Sequence, residues 1–485
     1  MLIYNTLKRR KEEFIPLHPG KVRMYVCGIT AYDYCHIGHA RSCVVFDVLV
    51  RYLRSQGYDV TFVRNFTDVD DKIIKRAQQE KLTEDEVAEK YIEAFYLDMD
   101  ELNVLKADIE PRATRHIPEM IQVTQVLLDK GYAYSTAAGD VYFRVRKMPH
   151  YGLLSARNVE ELQSGSRIAP DEDKEDPLDF ALWKAARPEE PSWESPWGKG
   201  RPGWHLECTA MSEKYLGIPF DIHGGGEDLT FPHHENEKAQ SEAAFGREFV
   251  RYWIHNGFVR VDSEKMSKSL GNFITIRDII NSFHGEVLRF FLLTKHYRSP
   301  LDYSDGSLEE AEKALKRIYW AKTALQKELQ KEKWSKGQEF SEADQELNSL
   351  SQKWDDAMLD DMNTAEAVGY VFGLVRLANR MLENKVFRKS EAGRDVMQKM
   401  LDQLDKWGHS LGIFHRPGKE FLEELKFMRC RRYDIDPEFV LKMVQKRQEA
   451  RNNKDFKAAD EIRHQLAEQG IEVMDTSEGP KWDFA

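Results

Sequence analysis

Two short strings carry groups that seek phosphate. His36-Ile37-Gly38-His39 sets two imidazoles around a glycine, and Lys265-Met266-Ser267-Lys268-Ser269 holds two ammonium groups three positions apart. Gly38 lets a flat base or a phosphate approach the backbone closely. His36 and His39 can donate hydrogen bonds to phosphate oxygens, and a helix starting there adds its positive end. Lys265 and Lys268 are point charges on flexible stems, suited to a phosphate whose charge grows as a nucleophile attacks. Stabilising such charge is worth on the order of 3 kcal/mol per well-placed donor. Ser267, Ser269 and Gly271 suit a loop that closes over a nucleotide. Either string alone also fits an exposed histidine pair or a solvated basic loop. A given four-residue string with two histidines arises by chance at roughly 10⁻⁶ per position, so the two together carry more weight than either.

A third constellation supplies metal ligands. In Phe231-Pro232-His233-His234-Glu235-Asn236-Glu237, His233 and Glu237 stand at i and i+4, on one helix face. An imidazole and a carboxylate so spaced are a common half of a zinc site, although alone they more often describe an exposed helix pair. Cys27 ends an apolar segment nine positions before His36, and Cys208 lies in Trp204-His205-Leu206-Glu207-Cys208. Each can be plain packing, since cysteine behaves as a small hydrophobe. Two cysteines, a histidine and a glutamate from three segments would make a tetrahedral zinc set. His205, His223 and His234 read as hydrogen-bonded pocket or surface histidines, with His234 pointing to another side of its helix. Cys35 and Cys43 read as packing residues.

Positioning these groups requires a strand, a loop, a helix and a second strand. Residues 21–26 read as a short apolar strand, residues 40–56 as a helix rich in Val, Phe and Leu, and residues 60–66 as the next strand. That order suits an α/β, doubly wound (Rossmann-like) nucleotide-binding domain, whose ligand site lies at the carboxyl ends of the strands. A helical stretch follows at about 84–105. Residues 115–200 change character, with a hairpin-like run at 132–145, an acidic stretch at 171–176 and a Pro-, Trp- and Gly-rich passage at 191–203. They read as an α+β insertion between a first catalytic half, 1–114, and a second, 201–306. The second half has a strand at 220–226, a helix from about 233 and a closing strand at 250–261. Residues 307–415 read as a helical bundle. Residues 416–485 read as a small mixed C-terminal domain, with helices at 437–452 and 457–469 and a late strand at 470–474.

Bulk properties narrow the class. The chain has 485 residues, 41% hydrophobic and 32% charged, as in a soluble globular protein of several domains. No apolar run approaches a membrane span and the first residues resemble no signal peptide, so a cytoplasmic protein is expected. Five cysteines with no Cys-x-x-Cys pair argue against a disulfide framework. A net charge of -11 does not suggest nucleic acid, yet a folded RNA needs only a local basic track. Arg429, Arg431 and Arg432 give a basic spot and Lys442, Lys446, Arg447 and Arg451 line a helix, a pattern that fits such a track and also an ordinary solvated face.

These motifs bring a family into view. Met24-Tyr25-Val26-Cys27-Gly28, the two strings, Gly203 to Cys208, Asp221 to Gly226, Phe231 to Glu237 and Arg64-Asn65-Phe66-Thr67-Asp68-Val69-Asp70-Asp71-Lys72 resemble class I aminoacyl-tRNA synthetases, specifically the bacterial-type cysteinyl-tRNA synthetases. The resemblance implies ATP-dependent formation of cysteinyl-adenylate from L-cysteine, followed by transfer to the 3′ end of tRNA(Cys). It implies one zinc per chain on Cys27, Cys208, His233 and Glu237, selecting the substrate thiol, and magnesium with the ATP. His36, His39, Lys265 and Lys268 would be catalytic. Gly38, Gly225 and Asp228, with His36, His39 and Lys268, would bind ATP, and Thr67 and Trp204 would enclose the amino acid. The insertion is too short for the editing domain of the branched-chain relatives. The C-terminal domain would read the anticodon, and a monomer with no membrane partner is expected. Two other readings share the motifs: a cysteine ligase acting on a small amine, and a catalytically inactive synthetase-like RNA-binding protein.

Overall fold

A computed structural model describes residues 1–158, 160, 174–188, 190–261, 264–265, 273–336, 339–476 and 479–484; for 264 and 265 it describes the backbone alone. The central sheet has four parallel strands: β1 (Lys21–Val26), β2 (Asp59–Arg64), β3 (Phe220–Gly226) and β4 (Val250–Asn256), in the spatial order β4-β3-β1-β2. Most of their residues are buried, polar ones included, as in strands covered on both faces. Helix α1 (Ile37–Ser55) packs on the sheet through a buried stripe that includes Val45, Phe46, Leu49, Val50 and Leu53. Helices α2 (Trp204–Leu216) and α3 (His233–Phe245) lie in the second half of the domain. This is the Rossmann-like arrangement the sequence implies, with the strand ends pointing toward one site.

Several expected boundaries move. The helix expected at 40–56 starts three residues earlier, because His36 itself caps it. The helix expected to run to 105 ends at Glu101, and a helix at Asp71–Glu80 precedes it. The single closing strand expected at 250–261 is two strands in different sheets. β4 ends at Asn256, and Val259–Val261 pairs instead with Glu264–Lys265 and Leu301–Tyr303. The break falls at Gly257, where a Cβ would lie 2.6 Å from the Arg298 carbonyl oxygen.

The insertion folds as an antiparallel sheet, Ala133–Ser135, Val141–Phe143, Phe180–Ala185 and Gly200–Pro202, and its apolar residues share one core with α2, α3 and β4. Part of the acidic stretch, 171–173, lies outside the described residues. Helices from Asp305–Leu329 to Glu391–Leu411 form the bundle, which joins the first helix in one core. The C-terminal region has helices Pro437–Asn452 and Phe456–Glu468 and a hairpin of Ile471–Thr476 with Gly479–Phe484 over its own small core. The second strand of that hairpin had no counterpart in the sequence reading. Among the described residues, no helix is long and apolar enough to cross a membrane.

Candidate active site and metal centre

The His36 string is the cap of α1. The His36 ring accepts at Nδ1 from the backbone N–H groups of Gly38 (3.0 Å) and His39 (3.4 Å), and His39 Nδ1 accepts from the His36 N–H (3.2 Å). The two rings stack with centroids 3.7 Å apart. With Nδ1 accepting on each, a neutral ring carries its proton on Nε2. The backbone N–H of Ile37 is also engaged, by the carbonyl of Ile274. The first amides of the helix are therefore already engaged, and what the string presents to an anion is its imidazole rings with the helix dipole behind them.

A cavity of about 410 Å³ opens above the strand ends. Cys27, His36, Gly38, His39, Trp204, Gly226 and Asp228 all line it. Gly225 does not: a Cβ there would sit 2.8 Å from the His234 ring, so its small size serves packing against that imidazole. Thr67 is likewise beneath the surface, 2% exposed, and its hydroxyl donates to the Glu207 carboxylate at 2.7 Å. Burial raises the Glu207 carboxyl well above its ordinary range, a pull that the Thr67 bond opposes. Lys268 lies outside the described residues with Met266, Ser267, Ser269 and Gly271, and of Lys265 only the backbone is described, paired with Arg260.

Cys27, at the end of β1, meets the other expected ligands at the cavity floor. Its Sγ is 3.6 Å from Cys208 Sγ and 3.4 Å from Glu237 Oε1; Cys208 Sγ is 3.6 Å from His233 Nε2, and His233 Nε2 is 2.8 Å from Glu237 Oε1. A tetrahedral zinc with ordinary bond lengths spaces its donors by about 3.8 Å for two sulfurs, about 3.5 Å for sulfur with N or O, and about 3.3 Å for N with O. The first three separations sit within a few tenths of an ångström of those edges. The fourth is shorter, as befits the ion pair that imidazole and carboxylate make with each other. The donor set fits zinc.

The charged groups of the cluster shift one another strongly. Burial would push the Glu237 carboxyl up, but His233 and His223 hold it well below the usual carboxylate range. Burial opposes charge on His233, yet Glu237 and Cys208 pull it up to about 10. Although burial resists a thiolate at Cys208, hydrogen bonds with Cys27 and His233 bring that thiol down to about 6. Burial and the neighbouring Cys208 push the Cys27 thiol the other way, so the two thiols titrate as a coupled pair.

The surrounding histidines are more involved than the sequence suggested. His223 Nε2 bonds the second Glu237 oxygen at 2.7 Å, and His205 Nδ1 lies 2.9 Å from His233 Nδ1. His234 does not point away from the site: its Nε2 is 3.3 Å from Cys27 Sγ, and its Nδ1 contacts His255 at 2.8 Å. A second set, Cys27, His223, His234 and Glu237, thus overlaps the first, but it holds one thiol where the first holds two. Burial keeps His234 and His255 neutral, His255 down to about 3. Such outer contacts fix the tautomer and direction of ligands. His255 and Glu207 were missed; the available signal was five histidines crowded between positions 205 and 255. Trp204 stacks on His233 with centroids 4.1 Å apart and joins the ligand cluster to the cavity wall.

Comparison with known proteins follows the same lines. Residues 13–313 match the family described as tRNA synthetases class I (C) catalytic domain, 353–415 the DALR domain, and 437–482 the cysteinyl-tRNA ligase anticodon binding domain. The sequence is 63% identical over 482 residues to the cysteine–tRNA ligase of Maridesulfovibrio salexigens, covering 99% of each chain. It is 53% identical over 484 residues to that of Lawsonia intracellularis, covering 100% of each. Among solved structures, Mycobacterium tuberculosis methionyl-tRNA synthetase in complex with methionyl-adenylate superposes with a TM-score of 0.60 at 16% identity, over 80% of this chain and 90% of that one. That likeness shows the fold.

Proposed function

The chain belongs to the cysteine–tRNA ligases, class I aminoacyl-tRNA synthetases, and from that premise we propose that it charges tRNA(Cys) with cysteine in two steps. The cysteine carboxylate attacks the α-phosphate of ATP, held with magnesium, and pyrophosphate leaves. The cysteinyl group then passes to the terminal ribose of the tRNA. No side-chain nucleophile is needed, because the substrate supplies it, and catalysis is positioning and charge stabilisation.

The observation that carries this reading is a thiol-rich donor set opening through Cys27 onto the cavity that His36 and His39 line. Cys27, Cys208, His233 and Glu237 would hold zinc, which when bound supplies a soft Lewis acid for the substrate thiolate. Serine differs from cysteine by one atom, and an apolar pocket separates such pairs weakly. A hydroxyl is a far poorer ligand for a soft cation, so selection by metal needs no editing domain. His36 and His39 donate through Nε2 to the triphosphate, and Lys265 and Lys268 bring the second set of charges. Trp204 flanks the amino acid, and Gly226 and Asp228 lie toward the adenosine. Thr67 acts through Glu207, steadying α2 next to Cys208.

The match to an anticodon binding domain favours a tRNA acceptor over a small amine. In this reading residues 416–485 read the anticodon and the bundle, 307–415, spans to the acceptor end, in a cytoplasmic monomer. The test is attachment of radiolabelled cysteine to a tRNA(Cys) transcript. Charging of that transcript and not of a serine tRNA is expected; adenylate formation without transfer to tRNA would overturn the assignment.

A further inference from the structure

Arg41 is a buried cation whose hydrogen bonds all go to backbone carbonyls, with Glu227 as a charge partner outside that set. It sits on α1 just beyond the histidine string and is fully buried, 0% exposed. Nη1 donates to the Phe258 carbonyl at 2.7 Å. Nη2 donates to the carbonyls of His296 (3.3 Å), Tyr297 (3.2 Å) and Ser299. Burial pushes the guanidinium down to about 10, so it remains a cation at neutral pH. Burying a charge is costly, and a site that does so without a carboxylate in its hydrogen-bond set gains a rigid connection in return.

What Arg41 connects bears on catalysis. Phe258 stands between Gly257 and the strand Val259–Val261, and it lines the cavity. That strand pairs with Glu264–Lys265, where the second string begins, and with Leu301–Tyr303, which follows the other carbonyls Arg41 holds. The far side of the second string is tied to the same helix. Ile37 N–H donates to the Ile274 carbonyl at 3.2 Å, and Ile276 N–H to the Cys35 carbonyl at 2.8 Å. Both flanks of the lysine string are therefore tied to α1, one by main-chain bonds and the other through the Arg41 side chain together with packing of Val259 and Val261 in the core that α1 shares.

We infer that Arg41 is a positioning residue for adenylate formation: its guanidinium sets the strand leading into the lysine string against the helix that carries His36 and His39. The inference rests on the functional reading above. The planar fork suits the task, because its two terminal nitrogens reach two separate chain segments. A lysine keeps the charge but replaces the two-pronged fork by donors on one nitrogen at the end of a flexible stem, while a glutamine removes the charge and keeps a short donor.

The test uses the full-length, zinc-loaded enzyme with Arg41→Lys and Arg41→Gln. Cysteine-dependent ATP–pyrophosphate exchange, zinc content, thermal melting and hydrogen–deuterium exchange are measured on each. In both variants kcat for exchange should fall at least tenfold and KM for ATP should rise. KM for cysteine and zinc content should stay within twofold. Peptides covering 258–261 and 296–303 should exchange at least threefold faster, with those covering 220–226 unchanged. Retention of charge in Arg41→Lys should bring no recovery over Arg41→Gln. A kcat within twofold of the parent in both variants would overturn the inference. So would a loss shared by ATP and cysteine with zinc release or global melting, which would make Arg41 a general core residue. A parent enzyme without exchange activity would instead overturn the functional reading, and the hydrogen-exchange comparison would still test the clamp.

Discussion

Replacing Glu237 by glutamine removes the charge at the centre of the ligand cluster while keeping its shape. In the parent, one carboxylate oxygen pairs with His233 at 2.8 Å and the other accepts from His223 at 2.7 Å, with the side chain 0% exposed. A glutamine oxygen can satisfy one imidazole, but its NH₂ group meets the other as a donor, which that ring accepts only after its proton moves to the opposite nitrogen. Breaking a buried pair by removing one partner costs about 3–5 kcal/mol. The retained contact offsets part of that, since a hydrogen bond to a neutral group keeps about 1 kcal/mol. A loss of about 3 kcal/mol is therefore expected in the zinc-free protein, lowering the melting temperature of the catalytic domain by roughly 6–12 °C. Zinc affinity should fall more than tenfold, because an anionic ligand is gone and its outer partner His223 is misdirected. Calorimetry of the zinc-free protein and zinc stoichiometry after dialysis read the two effects separately. A Glu237→Gln protein that melts within 2 °C of the parent, taking that as about 1 kcal/mol or less, and retains zinc would refute the reasoning.

The remaining predictions concern other parts of the site and its supports. Lys268→Ala should slow adenylate formation well over tenfold with zinc content unchanged; zinc loss would contradict the separation of roles. His36→Asn keeps a good helix cap, so stability should hold within about 0.5 kcal/mol while pyrophosphate exchange falls at least tenfold; equal activity would mean that the string is structural. Thr67→Val should leave the buried Glu207 carboxyl without its donor and cost about 1–3 kcal/mol in urea unfolding, and an unchanged midpoint would count against that bond. Burial raises the Glu286 carboxyl to about 7 against the bonds from Phe414 N–H and Tyr319. A carboxyl raised above its unfolded value binds more protons in the native state. It therefore favours folding at acid pH, and that contribution is lost as pH rises from about 4.5 through 7. Glu286→Gln should accordingly flatten the decline in melting temperature between pH 5 and 8; an unaltered pH profile would refute the assignment.

The sequence conveyed the four clustered side chains better than their surroundings. Periodicity puts His233 and Glu237 on one helix face, a spacing that alone more often means an exposed pair; the places of Cys27 and Cys208 in the chain made a tetrahedral set conceivable, and the family resemblance then named all four. The helix is expected from Ala40, where apolar periodicity begins, with the histidine string leading into it; histidine is not among the usual capping residues, and the reciprocal bond with His39 makes His36 one. The strand at 250–261 was read as continuous because its apolar residues run on past Gly257, whereas the close approach of Arg298 comes from a distant segment. The contacts of His234, His255 and Glu207 are invisible to spacing for the same reason: each depends on a partner many residues away. Arg41 reads as an ordinary polar helix residue until the carbonyls of 258 and 296–299 are placed around it.

The central claim is that a thiol-selecting metal stands at the floor of an ATP site. It is tested most directly by ATP–pyrophosphate exchange with cysteine and with serine, before and after zinc is removed by a chelator and then restored. Exchange should depend on cysteine, be at least a hundredfold weaker with serine, collapse without zinc and return when zinc is restored. Equal exchange with serine, or exchange indifferent to zinc, would contradict the account.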